Sequence, residues 1–92
     1  MALTDEQLLN HTPAQLLDLM IEECAEVIQA ATKAKRFGHK TRWPNDASGR
    51  TNADALIREA LQVNDTLRAY CARLGINYGH ALERGADELL VE

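Results

Sequence analysis

The chain has 92 residues and a formal net charge of −4, with 46% hydrophobic and 26% charged residues. That length suits one domain, residues 1–92, too small to bury a large core alone, so self-association is expected. The acidic balance speaks against a nucleic-acid backbone as partner, since such binders carry a basic face.

The N-terminus, MALTDEQLLNHTPAQ, lacks the basic start and apolar block of a secretion signal. No apolar run approaches a membrane span. Cys24 and Cys71 have no metal-type spacing and read as small core residues. Together these features lead us to expect a cytoplasmic protein without membrane contact.

Thr4 followed by Gln7 is a capping box for a short first turn. Thr12-Pro13-Ala14-Gln15 repeats the device, with Pro at the first helical position. No proline or glycine then interrupts the chain to Phe37, and Gly38 supplies a stop. The pattern predicts one helix of roughly seven turns. Residues 39–51, HKTRWPNDASGRT, read as a loop. Thr51 or Asn52 caps a second long helix that runs to about Leu74, with Gly75 as its stop. The tail reads as a weaker third helix, since Gly79 and Gly85 disfavour it. Nothing alternates with period two, so no strands are expected. The expected fold is all-α: two long antiparallel helices plus shorter flanking ones, with a four-helix bundle completed by pairing copies into a homodimer or tetramer.

At about 100° per residue, Leu17, Met20, Cys24, Val27, Ile28 and Ala31 share one face of the first long helix. Glu23 lies on the shoulder of that face, Glu26 one turn along, and Glu22 further round near Lys33. Residues three apart are neighbours, so Glu23 and Glu26 project together at the edge of the apolar seam. Two close carboxylates in a desolvated place repel, and a divalent cation such as Mg²⁺ relieves the conflict. On the second helix, Leu56, Ala60, Val63, Leu67, Cys71 and Leu74 share an apolar face. Glu59 occupies its shoulder, with Gln62 and Asp65 following at three-residue steps. Antiparallel packing would bring the two acidic rows together. Against this stands the ordinary solvated or ion-paired helix face, to which Glu22 belongs most readily.

Positive charge is concentrated nearby, in Lys33, Lys35, Arg36, His39, Lys40 and Arg42. Lys35 and Arg36 complement the dipole at a helix C-terminus, whereas Lys40 and Arg42 lie past the stop. Carboxylates for a metal beside cations for phosphate oxygens suit a polyphosphate. Trp43 is read as packing over the bundle end rather than stacking on a base.

The run EECAEVIQAATKAKRFG resembles the MazG-like all-α nucleoside triphosphate pyrophosphohydrolases, especially their short single-domain forms. Their signature is E-E-x-x-E on one helix and E-x-x-D on the next. Glu22, Glu23 and Glu26 match the first half. The second half departs from it: Gln62-Val63-Asn64-Asp65 puts Gln for Glu, and Glu59-Ala60-Leu61-Gln62 puts Gln for Asp. The first alignment is slightly preferred, because it keeps the N-D pair before TLRAY. Glu59 and Asp65 lie about 120° apart around the helix, so one ion would not easily bind both.

The resemblance implies hydrolysis of a nucleoside triphosphate to the monophosphate and pyrophosphate, with Mg²⁺, or Mn²⁺ in its place. It implies Glu23, Glu26 and Asp65 as ligands, with Gln62 or Glu59 completing the set. Glu22 would ligate or orient water, and Lys33 and Arg36, with Lys40 and Arg42, would contact phosphate. A second expectation is a relative that binds a nucleotide or protein partner without catalysis, and a third is a plain helical dimerisation module.

Overall fold

The computed structural model describes residues 3–42 and 48–85, apart from the Asp5 side chain. Four helices follow one another: α1 (Asp5–Leu9), α2 (Pro13–Phe37), α3 (Asn52–Leu74) and α4 (Tyr78–Arg84). Their starts are local chemistry. Thr4, Thr12 and Thr51 each cap a helix, and Gln7, Gln15 and Asp54 return the second bond of the box. The Thr51 bonds also hold the Asp54 carboxyl below its ordinary range. Gly38 and Gly75 end the two long helices at φ 100° and 74°, where a Cβ would be strained. Asn77 caps α4, whose glycine at position 79 sits in the first turn. The expectation for Trp43, and any helix beyond residue 85, lies outside the described residues.

The principal packing is α2 against α3. The Asn52 side-chain amide donates to the Gly38 carbonyl at 2.9 Å, and Thr66 reaches Glu23, so the two helices run antiparallel. The connection is stitched to α3. The Asn52 and Ala53 amides donate to the Thr41 and His39 carbonyls at 3.0 and 2.9 Å, satisfying donors that a helix start leaves open. Arg42 pairs with Thr51 in an isolated bridge, and its guanidinium donates to the Gly49 carbonyl. One of the cations past the helix stop is thereby engaged in closing its own loop.

The face that meets α3 is not the expected apolar one. Leu17, Cys24, Ile28 and Ala31 are exposed, and Met20 and Val27 are half-buried. The contact is made by the shoulder: Leu16, Glu23, Ala30 and Ala34 are buried, with Met20 and Val27 at its margin. On α3 the matching row is Asn52, Ala55, Glu59, Gln62, Thr66 and Ala69. Both rows step alternately by three and four residues, the period of two helices kept in register. The physical reason lies in side-chain size. By the antiparallel register Ala34 falls opposite Ala55 and Ala30 opposite Glu59, so small residues let the helices approach and leave room for long polar ones. The inter-helix seam therefore mixes small apolar residues with the polar side chains of Glu23, Asn52, Glu59, Gln62 and Thr66.

α1 folds over one end of the pair. Leu8 joins Leu16 and Ala69 in a buried cluster, with Leu3, Leu19 and Tyr70 around it. Arg73 ties the turn after α1 by donating to the Leu9 carbonyl at 3.4 Å. α4 lies on the far side of α3, where the Tyr78 hydroxyl donates to Asn64 and Arg68 stacks over the Tyr78 ring. Among the described residues no helix is long and apolar enough to cross a membrane.

Candidate functional site

Glu23 stands in the middle of the seam and is only 3% exposed. Thr66, fully buried across from it, donates its hydroxyl to Glu23 Oε1 at 2.6 Å. Burial pushes the Glu23 carboxyl above its ordinary 4.5; the Thr66 bond opposes the shift, and the nearby Glu26 and Asp65 charges reinforce it. Leu3, Leu8, Glu23, Gln62, Asp65 and Thr66 line a small cavity of about 10 Å³, the space of a single water.

One and two turns along the α3 seam are further acceptors. Glu59 Oε2 and Gln62 Oε1 are both buried, and among the described residues neither has a hydrogen-bond partner. Buried polar atoms are nearly always paired, because an unpaired one costs about 1–3 kcal/mol. Three oxygen-bearing side chains thus share one interface in which the Thr66 hydroxyl is the donor to Glu23.

The remaining carboxylates stand at the rim. In an antiparallel pair, residues that precede seam positions lie on one side of the pair, and residues that follow them lie on the other. Glu22, Glu26, Gln29 and Lys33 precede seam positions on α2, as do Asp54, Arg58, Leu61, Asp65 and Arg68 on α3. This side is the polar one. Glu26 is half-buried, while Glu22 and Asp65 are exposed. The structure therefore brings Glu23, Glu59 and Gln62 into the seam and sets Glu26 and Asp65 on the same side of it. Among the described residues, no three His, Cys, Asp or Glu side chains are gathered into a ready-made metal cage. Gln62, an amide, occupies one of the seam positions.

Lys33, Arg36, Lys40 and Arg42 are all exposed. Lys33 shares the polar side with Glu26, about 10 Å further along the helix axis. Arg36 lies over the Phe37 ring at 5.4 Å. Arg42 has its loop bond to Gly49. Thr66 is the site residue that sequence reasoning missed. Its signal was the three-and-four spacing with Glu59 and Gln62, which acquires meaning only once the opposing helix is placed. Comparison with protein-family models, with curated proteins and with solved structures finds no match to this chain.

Proposed function

We propose that this chain is a divalent-cation-dependent nucleoside triphosphate pyrophosphohydrolase of the MazG-like kind. The observation that carries the reading is the pair of buried, unpartnered acceptors, Glu59 Oε2 and Gln62 Oε1, in the same interface as the buried Glu23 carboxyl. The described residues buried beside them, Ala30, Ala34, Ala55 and Thr66, bring no positive charge. An all-oxygen set of carboxylates and one amide carbonyl fits Mg²⁺ or Mn²⁺, which take hard oxygen ligands. Glu23, Glu59 and Gln62 would hold the ion from the seam, with Glu26 reaching it from the rim, while Asp65, about 120° from Glu59 around α3, would stay outside that ligand set. The seam placement of Glu59 and Gln62 favours reading them as the second half of the motif.

When bound, the ion supplies charge neutralisation for the phosphates and a lowered pKa for attacking water. The chain's own residues do the rest. Glu22, exposed beside Glu26, would take the proton from a water whose oxygen attacks the α phosphorus. The bond from that phosphorus to the α–β bridging oxygen breaks, and pyrophosphate leaves with that oxygen. Lys33, on the same side, sits at a distance that an extended triphosphate can span, and Arg36 and Lys40 continue the cationic track. Arg42 acts in this reading as the clasp of the loop. The reading includes assembly into a homodimer or tetramer.

A second reading, nucleotide binding without turnover, is favoured by one observation: a neutral Gln62 stands where a charge would strengthen the cation site. Both are tested on purified protein with Mg²⁺ or Mn²⁺ and a panel of canonical and modified nucleoside triphosphates. Pyrophosphate release that disappears in Glu23→Ala supports catalysis. Binding without release, converted to release by Gln62→Glu, supports the second reading. No binding and no release from any substrate rejects both.

A further inference from the structure

Thr66 and Glu23 meet in the middle of the α2–α3 seam, both closed off from solvent. A helical threonine often turns its hydroxyl back to the carbonyl four residues earlier. Thr32 does so, donating to the Ile28 carbonyl at 2.8 Å. Thr66 instead gives its one proton across the interface, to Glu23 Oε1 at 2.6 Å. That length falls in the short range of a hydroxyl donating to an ionised carboxylate, a bond stronger than one between neutral groups. The cavity that Glu23, Gln62, Asp65 and Thr66 share with Leu3 and Leu8 is about 10 Å³. It gives the carboxylate no space to swing away from the hydroxyl.

A carboxylate can serve a cation with both of its oxygens or with one. Ca²⁺ is large, takes about six to eight oxygens in flexible geometry, and readily accepts both from the same carboxylate. Mg²⁺ is small and demands a near-ideal octahedron. The two oxygens of one carboxylate are too close together to fill two corners of so regular a shell. With Oε1 held by Thr66, Glu23 has Oε2 alone to offer.

We propose that Thr66 is a positioning residue that makes Glu23 a one-oxygen ligand, and so sets the preference of the seam for Mg²⁺ and Mn²⁺ over Ca²⁺. The inference rests on the divalent-cation reading and adds to it which ion is refused, and by what. Two further features of the seam make the device effective. Both side chains leave the interior of a long helix, Pro13–Phe37 and Asn52–Leu74, so the backbone behind them is fixed. The buried alanines at 30, 34 and 55 keep the helices close, and a larger ion would have to part them. Site rigidity, ligand number and cavity size are the properties by which the two ions are told apart.

Titration calorimetry of the full chain with Mg²⁺ and with Ca²⁺ reads the preference without any turnover. The parent should bind Mg²⁺ at least as tightly as Ca²⁺. Thr66→Val keeps the shape of the side chain and removes the hydroxyl, and it should move the ratio of the two affinities about ten-fold toward Ca²⁺. Thr66→Ser keeps the hydroxyl and should stay within about two-fold of the parent ratio. A hydroxyl that served packing alone would weaken both ions together and leave the ratio where it was. An unchanged ratio in Thr66→Val, or a serine variant that behaves like valine, overturns the role of Thr66 while leaving the cation reading intact. A parent that takes up neither ion overturns both. Where Thr66→Val does not fold, Thr66→Ala puts the same question, and a parent that prefers Ca²⁺ overturns the proposal with no variant at all.

Discussion

At the scale of the residue, Glu23 sets the terms. Its folded carboxyl titrates above 4.5, chiefly because burial disfavours the charged form. Below that value the group is protonated whether the chain is folded or not. Between 4.5 and the raised folded value, the folded chain holds a proton that the unfolded chain has released. Stability therefore falls as pH rises through that window. Without divalent cation, the melting temperature should decline on raising the pH from 4.5 toward neutrality. Glu23→Gln should flatten that decline and melt higher than the parent at neutral pH. Mg²⁺ should recover the loss in the parent and not in the variant; a parent profile that is flat or rising through this range contradicts the burial argument. Gln62 poses the complementary case. Replacing its amide by a carboxylate adds a charge to the seam, so Gln62→Glu should bind Mn²⁺ about ten-fold more tightly, about 1.4 kcal/mol, by titration calorimetry. The same variant should be less stable than the parent when the cation is removed, since one more carboxylate is then buried without a partner.

Among the elements, the α2–α3 hairpin depends on a few polar ties at its closed end. Asn52 is 3% exposed and spans from the first turn of α3 to the Gly38 carbonyl that ends α2. Asn52→Ala should cost about 1–3 kcal/mol in urea denaturation, because the partner carbonyl is left without its donor in a part-buried place. A change below about 0.5 kcal/mol would mean that the backbone bonds from Ala53 to His39 hold the turn unaided. The helix boundaries themselves were legible in the sequence. Thr12-Pro13-Gln15, Thr4-Gln7, Gly38 and Gly75 act through bonds within three or four residues, so their meaning does not depend on the rest of the fold.

For the whole molecule, the decisive fact is that the shoulder of each long helix faces in, carrying Glu23, Glu59, Gln62 and Thr66 between the helices, while Leu17, Ile21 and Ile28 of the apolar stripe of α2 face out. The proposed dimer then supplies much of the core, and folding becomes coupled to association. The melting temperature should rise with protein concentration, as mass action requires when assembly favours the folded chain. A transition independent of concentration across the range in which the protein assembles would show that each copy is stable by itself.

The sequence by itself determined the all-helical class, the two long helices with their caps and stops, and the presence of an acidic row with a basic flank. Those follow from short-range bonds and from a 3.6-residue period, which any local window contains. It did not determine which of two neighbouring stripes would meet the other helix. An apolar arc states that a face will leave water but does not name what will cover it, and the alanines at 30, 34 and 55 allowed the narrower shoulder that carries Glu23 to pack instead. Nor could it show that Thr66 answers Glu23, that Glu59 and Gln62 share their interface, or that Asp65 stands outside it. Those relations depend on the antiparallel register, which is set by contacts between residues far apart in the chain, and such contacts exist only once the helices have been laid side by side.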